Sequence, residues 1–168
     1  VQTARQICAG LAEVHARGIV HRDLKPANVM IDGRGQVRLT DFGLAGLAEG
    51  FEGAEIRAGT PDYMAPEQLA GKEVNVRSDL YALGVLFFEM LTGRLPFRSG
   101  DRDELLEMQR TAKAPSPRKY RNEIPEKAEE IILKLLEKDP ANRFRDGHHL
   151  KEELKEMQRS LPSREWDT

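Results

Sequence analysis

Most features that would classify this chain at a glance are scarce. A single cysteine, Cys8, stands in 168 residues. It cannot build an internal disulfide framework, which fits a reducing compartment and casts the thiol as a small buried apolar side chain. Acid and base nearly cancel, with 26 Lys plus Arg against 28 Asp plus Glu and a formal net charge of −2. That balance points to neither a nucleic-acid partner nor an acidic membrane surface. The longest apolar run, Tyr81 to Phe88, falls far short of the ~20 residues a membrane span needs. No secretory signal stands at the N-terminus, and no repeat recurs at solenoid periods. The length suits one ordinary domain with a real core. The chain opens on Val1, not Met, and its first residues already read as helix, so it is expected to be a portion of a longer polypeptide.

What is present centres on His21-Arg22-Asp23-Leu24-Lys25-Pro26-Ala27-Asn28. Pro26 and Asn28 resist regular helix, and ionised Asp and Lys are almost never fully buried without partners. The segment therefore packs poorly but suits catalysis. Held rigid as a loop, Asp23 can accept a hydroxyl proton, Lys25 can meet phosphate charge, and Asn28 can offer an oxygen to a hard cation.

Around it the pattern is mainly helical. Ala4, Ile7, Cys8, Leu11 and Val14 or His15 form one stripe of a helix that Gly18 stops. Val29 to Ile31 and Val37 to Leu39 flank Asp32-Gly33-Arg34-Gly35 as a hairpin, whose second strand delivers Asp41-Phe42-Gly43. Residues 44–58 lack stable periodicity and read as a mobile loop. Residues 78–92 are apolar nearly all round and should form a buried central helix, ended by Gly93 and Pro96. Ser99 or Asp101 can cap a helix reaching about Thr111. Pro125 opens another that carries Ala128, Ile131, Ile132, Leu135 and Leu136 and ends at Asp139-Pro140. Asp146 can cap the last, with Leu150, Leu154 and Met157 on one face. His148 and His149 are expected at its surface.

Asp41 lies thirteen positions after Asn28, and a hairpin between them can return both side chains to one end. Asp and Asn oxygens suit Mg²⁺ when phosphate and water complete its shell. With these segments in this order, the chain resembles the C-terminal lobe of a eukaryotic-like (Hanks-type) Ser/Thr protein kinase, in a bacterial style. His21 to Asn28 resembles the catalytic loop, Asp41-Phe42-Gly43 the metal-binding triplet, and Ala65-Pro66-Glu67 the end of the activation segment. The resemblance covers about residues 1–158, a partial kinase domain without its N-lobe, with 159–168 as the start of a linker. It implies a mainly α fold: a helical bundle around a buried central helix with a small β-hairpin at the active site.

The resemblance also implies roles. Asp23 orients and deprotonates the acceptor hydroxyl, while Asn28 and Asp41 hold Mg²⁺ on the phosphates of ATP. Lys25 offsets the transferring charge and marks the Ser/Thr-specific form. Thr60 bonds the Asp23 and Lys25 pair, and Pro61 and Met64 line the pocket for the residue after the phosphoacceptor, expected to be apolar. Met30 floors the adenine site above a column with Leu86 and Met90. His21 and Phe42 belong to a parallel apolar column, and Gly43 completes the metal-binding triplet. Asp79 binds the catalytic-loop backbone, and Glu67 pairs with Arg143.

Two departures qualify the resemblance. No Gly-rich phosphate loop, strand Lys or helix Glu is present, so the chain alone is expected to be inactive and to expose an apolar floor at Met30, Ile31 and Phe42 where an N-lobe would sit. Arg22 is the residue that in many relatives meets an activation-loop phosphate, yet residues 44–59 contain no Ser, Thr or Tyr. The expectation is a loop not switched by phosphorylation, with Glu49, Glu52 or Glu55 partly neutralising Arg22. The competing readings are a pseudokinase or scaffold lobe, an adaptor binding partners at the 101–111 helix, and a small-molecule kinase; the Gly59 to Glu67 platform favours a protein substrate. The expected location is the cytoplasm, with any membrane tether supplied by a segment outside this chain.

Overall fold

The computed structural model describes residues 2–40 and 61–160. It is mainly helical, with one two-stranded sheet. Helix α1 (Gln2–Ala16) buries Ile7, Cys8 and Leu11 completely. Its end is closed by bonds from Gly18 N to His15 O and from Ile19 N to Val14 O. This paired closure needs a left-handed residue, which Gly18 supplies at φ +78°. Burial pushes the Cys8 thiol up to about 12, so at neutral pH it stays protonated and behaves as packing.

After the His21 to Asn28 segment, β1 (Val29–Ile31) and β2 (Val37–Leu39) pair antiparallel in the register Val29↔Leu39, Met30↔Arg38, Ile31↔Val37. The connecting turn is organised by Asp32, whose Oδ1 accepts from Arg34 N at 2.8 Å and Gln36 N at 3.0 Å. Those backbone bonds hold its carboxyl below the usual range.

A short helix α2 (Pro66–Leu69) precedes α3 (Val76–Thr92), around which the rest packs. Residues 78–88 of α3 are all buried, as its all-round apolarity requires. It starts earlier than periodicity implies because Asn75 caps it: the side chain accepts from Arg77 N at 2.9 Å and Ser78 Oγ accepts from Asn75 N at 3.3 Å. Gly93, at φ +76°, ends it.

Helix α4 (Arg102–Thr111) is capped by Asp101, whose side chain accepts from Asp103 N at 2.9 Å. Helix α5 (Glu126–Leu135) stops short of Asp139-Pro140, where Asp139 caps a separate 3₁₀ turn (Pro140–Asn142). Helix α6 (Gly147–Ser160) runs antiparallel to α1: Gly147 meets Ala12 at one end, and Arg5 bonds Gln158 at 2.5 Å at the other. Among the described residues no helix is long and apolar enough to cross a membrane.

One expectation fails in the core. Met90 is 48% exposed, at the mouth of an apolar groove lined by Phe87, Ile132 and Met157, while Leu86 is buried. Helix α5 crosses α3 closely at Gly84, whereas beside Met90 the two helices leave an open groove that Ala128, Ile131 and Ile132 line.

The crossing itself is tight. A Cβ on Gly84 would lie 2.7 Å from Leu135 Cβ, closer than carbon atoms pack, so α5 would have to shift bodily. Gly84→Ala is expected to lower stability by about 1–3 kcal/mol through overpacking. Gly100→Ala, at a position where a Cβ meets nothing, should stay within about 0.5 kcal/mol. Urea unfolding midpoints of the two variants test this; equal midpoints would show that α3 and α5 separate at no cost.

Candidate active site

The loop between α1 and β1 is held by one carboxylate from α3. Asp79, 1% exposed, accepts from His21 N at 2.7 Å and His15 Nε2 at 2.8 Å through Oδ2, and from Arg22 N at 2.8 Å through Oδ1. Three donors offset the cost of burying the charge. They also fix a backbone that would not otherwise persist: Arg22 sits at φ +74°, a left-handed conformation costing about 1–3 kcal/mol for a non-glycine residue. Gln68 on α2 clamps the other side of Arg22 by donating from Nε2 to its carbonyl at 3.0 Å.

His21 is fully buried. Its Nδ1 accepts from Asp23 N at 3.1 Å, so Nε2 carries the proton and donates to Thr40 O at 2.8 Å. With both ring nitrogens occupied in this way, His21 ties the loop to the strand end and is not placed as a proton shuttle.

The chemistry-bearing side chains come together here. Lys25 Nζ lies 3.6 Å from Asp23 Oδ2. Asn28, 1% exposed, donates from Nδ2 to Asp23 O at 2.6 Å and more weakly to Asp23 Oδ2 at 3.3 Å. Because the amide nitrogen is committed to Asp23, the carboxamide oxygen is the atom left to face a cation, as a hard divalent ion requires. Thr40 N bonds Asn28 O at 2.9 Å and so carries β2 back to the loop. Asp41, Phe42, Gly43, Thr60 and the carboxylates Glu49, Glu52 and Glu55 lie outside the described residues. Among the described residues, buried Arg22 Nε makes no hydrogen bond.

On the apolar side, Met30 and Ile31 are 57% and 60% exposed on β1. Pro61 and Met64 bracket a 3₁₀ turn (Pro61–Tyr63), with Met64 N bonded to Pro61 O at 3.2 Å. Tyr63 fastens this turn to α3 through its hydroxyl, which donates to Glu89 Oε2 at 2.6 Å.

Behind the turn, Arg143 spends all five of its N–H donors. NH1 reaches Glu67 Oε1 at 2.7 Å and Arg77 O at 2.9 Å. NH2 reaches Glu67 Oε2 at 3.0 Å and Lys138 O at 3.1 Å, and Nε reaches Glu137 O at 2.7 Å. Burial by itself raises the Glu67 carboxyl, but Arg143, aided by Ser78 Oγ at 2.8 Å, outweighs it and holds Glu67 below the usual carboxylate range.

Four residues that sequence reasoning passed over prove to be supports. His15 stood there only as an alternative stripe position and Gln68 not at all, yet both bond the loop. Gln109 and Lys138 connect α4 to its neighbours, and no periodicity marks them: a lone polar residue in an amphipathic helix, like a lysine in a bend, looks like a surface residue.

Comparison with known proteins adds family membership to this geometry. Residues 1–155 match the family described as "Protein kinase domain". The chain is 36% identical over 152 residues to Serine/threonine-protein kinase PrkC of Bacillus subtilis, covering 89% of this chain and 24% of that protein. It is 42% identical over 151 residues to Serine/threonine-protein kinase Pkn1 of Myxococcus xanthus, covering 86% and 22%. Rhodopsin kinase GRK1 of Rattus norvegicus is 44% identical over 146 residues, covering 84% and 26%. The chain thus spans about a quarter of the length of the curated relatives it matches.

Arg143→Met should strand the buried Glu67 charge and cost about 3–5 kcal/mol. Since the folded carboxyl of Glu67 is held below its ordinary 4.5, the pair stabilises above that pH and its contribution is lost as pH falls through the folded value. Chemical denaturation of both proteins should show a stability gap that is widest at neutral pH and narrows on acidification. A gap constant down through the carboxylate range would refute the assignment.

Proposed function

Because the chain belongs to the protein kinase family, we propose that it forms the C-terminal lobe of a Ser/Thr protein kinase domain, transferring the γ-phosphoryl group of ATP to Ser or Thr hydroxyls of protein substrates. The observation that carries this reading is the arrangement of Asp23, Lys25 and Asn28 on one loop whose backbone is fixed by the buried Asp79.

Each side chain has work it can do at that position. Asp23 Oδ2, partly exposed and beside the Lys25 ammonium, aligns the incoming hydroxyl and takes its proton as the oxygen attacks phosphorus. Lys25 keeps a positive charge next to the transferring group, in a place where the rigid loop costs no reorganisation. Mg²⁺, held by Asn28 together with Asp41, would neutralise phosphate charge. The committed amide of Asn28 keeps its oxygen turned to that duty. Asp23 is therefore oriented twice over, by Asn28 Nδ2 on its carbonyl and carboxylate and by His21 Nδ1 on its N–H.

The exposed Met30 and Ile31 suit cover by an N-lobe with the adenine between. The Pro61–Met64 turn, with Pro61 partly exposed and Met64 buried behind it, would seat a protein substrate, which a free small-molecule acceptor does not need.

The test is Asp23→Asn in the intact kinase containing this lobe. It keeps shape and removes the base, so kcat for peptide phosphorylation should fall roughly 10²–10⁴-fold with KM for ATP little changed. Undiminished transfer by the variant would overturn the role of Asp23. A wild-type protein that folds and binds nucleotide but phosphorylates no Ser or Thr peptide would favour the scaffold reading.

A further inference from the structure

Resting on the kinase reading above, we propose that Gln109 is a positioning residue that sets the shape of the acceptor platform, and through it the choice of the residue that follows the phosphoacceptor. Gln109 lies in the last turn of α4 and is fully buried. Burying a carboxamide is costly unless its groups are paired, and here the side chain's hydrogen-bond partners lie on other elements. Nε2 donates to Pro61 O at 3.1 Å and to Asp62 O at 2.7 Å, and Oε1 accepts from Tyr81 OH at 2.5 Å.

The receiving turn has little means of fixing itself. A three-residue 3₁₀ turn offers few internal bonds, and here one, Met64 N to Pro61 O, closes it. Its carbonyls are aimed by Gln109 from α4 and its far end by Tyr63 and Glu89 from α3.

Gln109 is itself aimed. A carboxamide can flip to exchange its oxygen and nitrogen, and the Tyr81 hydroxyl, donating to Oε1, selects the orientation that turns Nε2 toward the two carbonyls. Lys138 holds the end of α4 in register. Its ammonium donates to Gln109 O at 2.7 Å and Met108 O at 3.2 Å and lies 4.2 Å from the centre of the Phe97 ring. The Arg143 guanidinium covers the Tyr81 ring at 4.9 Å. The platform is therefore held by Gln109 and Glu89, whereas the catalytic loop is held by Asp79 and Gln68. Loosening Gln109 should change how a substrate seats without disarming Asp23.

Two variants in the intact kinase test this. Gln109→Met keeps length and apolar volume but makes no such bonds, and Tyr81→Phe removes the orienting hydroxyl alone. They are assayed on peptides that differ in the residue after the Ser or Thr. For the preferred peptide, KM is expected to rise roughly tenfold in Gln109→Met, the size of one or two buried hydrogen bonds. Discrimination among peptides should flatten, with kcat and KM for ATP within about twofold; Tyr81→Phe should move the same way by less. Hydrogen exchange at the Met64 amide should quicken in both variants, a readout that needs no activity. Unchanged preference and unchanged exchange in a folded variant would overturn the proposal, as would a uniform loss in kcat across all peptides. If Gln109→Met does not fold, Tyr81→Phe decides by the same criteria. A wild-type protein inactive on every peptide would sink the kinase reading, while the exchange result would still judge Gln109.

Discussion

A buried carboxylate is costly, and Asp79 offsets that cost by organising the loop on which the candidate chemistry stands. Its two oxygens collect the N–H groups of His21 and Arg22 and the ring of His15. An ionised acceptor bound to backbone donors makes shorter and stronger bonds than a neutral one. That strength is spent on Arg22, whose left-handed backbone turns the chain so that Asp23 emerges toward solvent while His21 remains inside. Without the carboxylate, two backbone N–H groups and a histidine would be left buried and unpaired, and the strained residue would relax toward an ordinary conformation. The central helix is thus both the core of the bundle and the anchor of the site.

The second anchor works by saturation. Arg143 could have been an apolar side chain with less desolvation cost, since replacing buried ion pairs by hydrophobic residues is often neutral or better for stability. What an apolar residue could not do is tie Glu67, Arg77, Glu137 and Lys138 together at one planar group. These partners come from α2, α3 and the segment after α5, so the guanidinium fixes three parts of the bundle in relation to each other. Tyr81 stacks beneath it and passes that order on to Gln109.

The parts legible in the sequence are those written in local chemistry. Gly18 and Gly93 stop helices where a left-handed residue was needed, and Asp101 begins one where a side-chain acceptor was needed. The apolar run at 78–88 is a buried helix because no other structure satisfies it. The ties of Asp79 to the loop and of Glu67 to Arg143 span 58 and 76 positions, beyond any periodicity, and were legible through family resemblance. Where resemblance was silent, polar residues were passed over: Gln68 and Gln109 in helices and Lys138 in the bend after α5 each look solvated until the element that receives them is placed. Met90 was misread in the opposite sense, since an apolar residue on a buried helix looks internal even where it borders an open groove.

The buried thiol of Cys8 has a practical side. It is the sole cysteine in the sequence, sealed in α1 with its ionisation pushed to about 12, so at neutral pH it offers almost no thiolate to an alkylating reagent. A cysteine introduced at an exposed position such as Met30 would then be the one reactive sulfur in the lobe. A single fluorophore or spin label could be attached beside the candidate nucleotide floor without first stripping the native residue from the core. The packing that makes Cys8 chemically silent leaves this chain ready for spectroscopy.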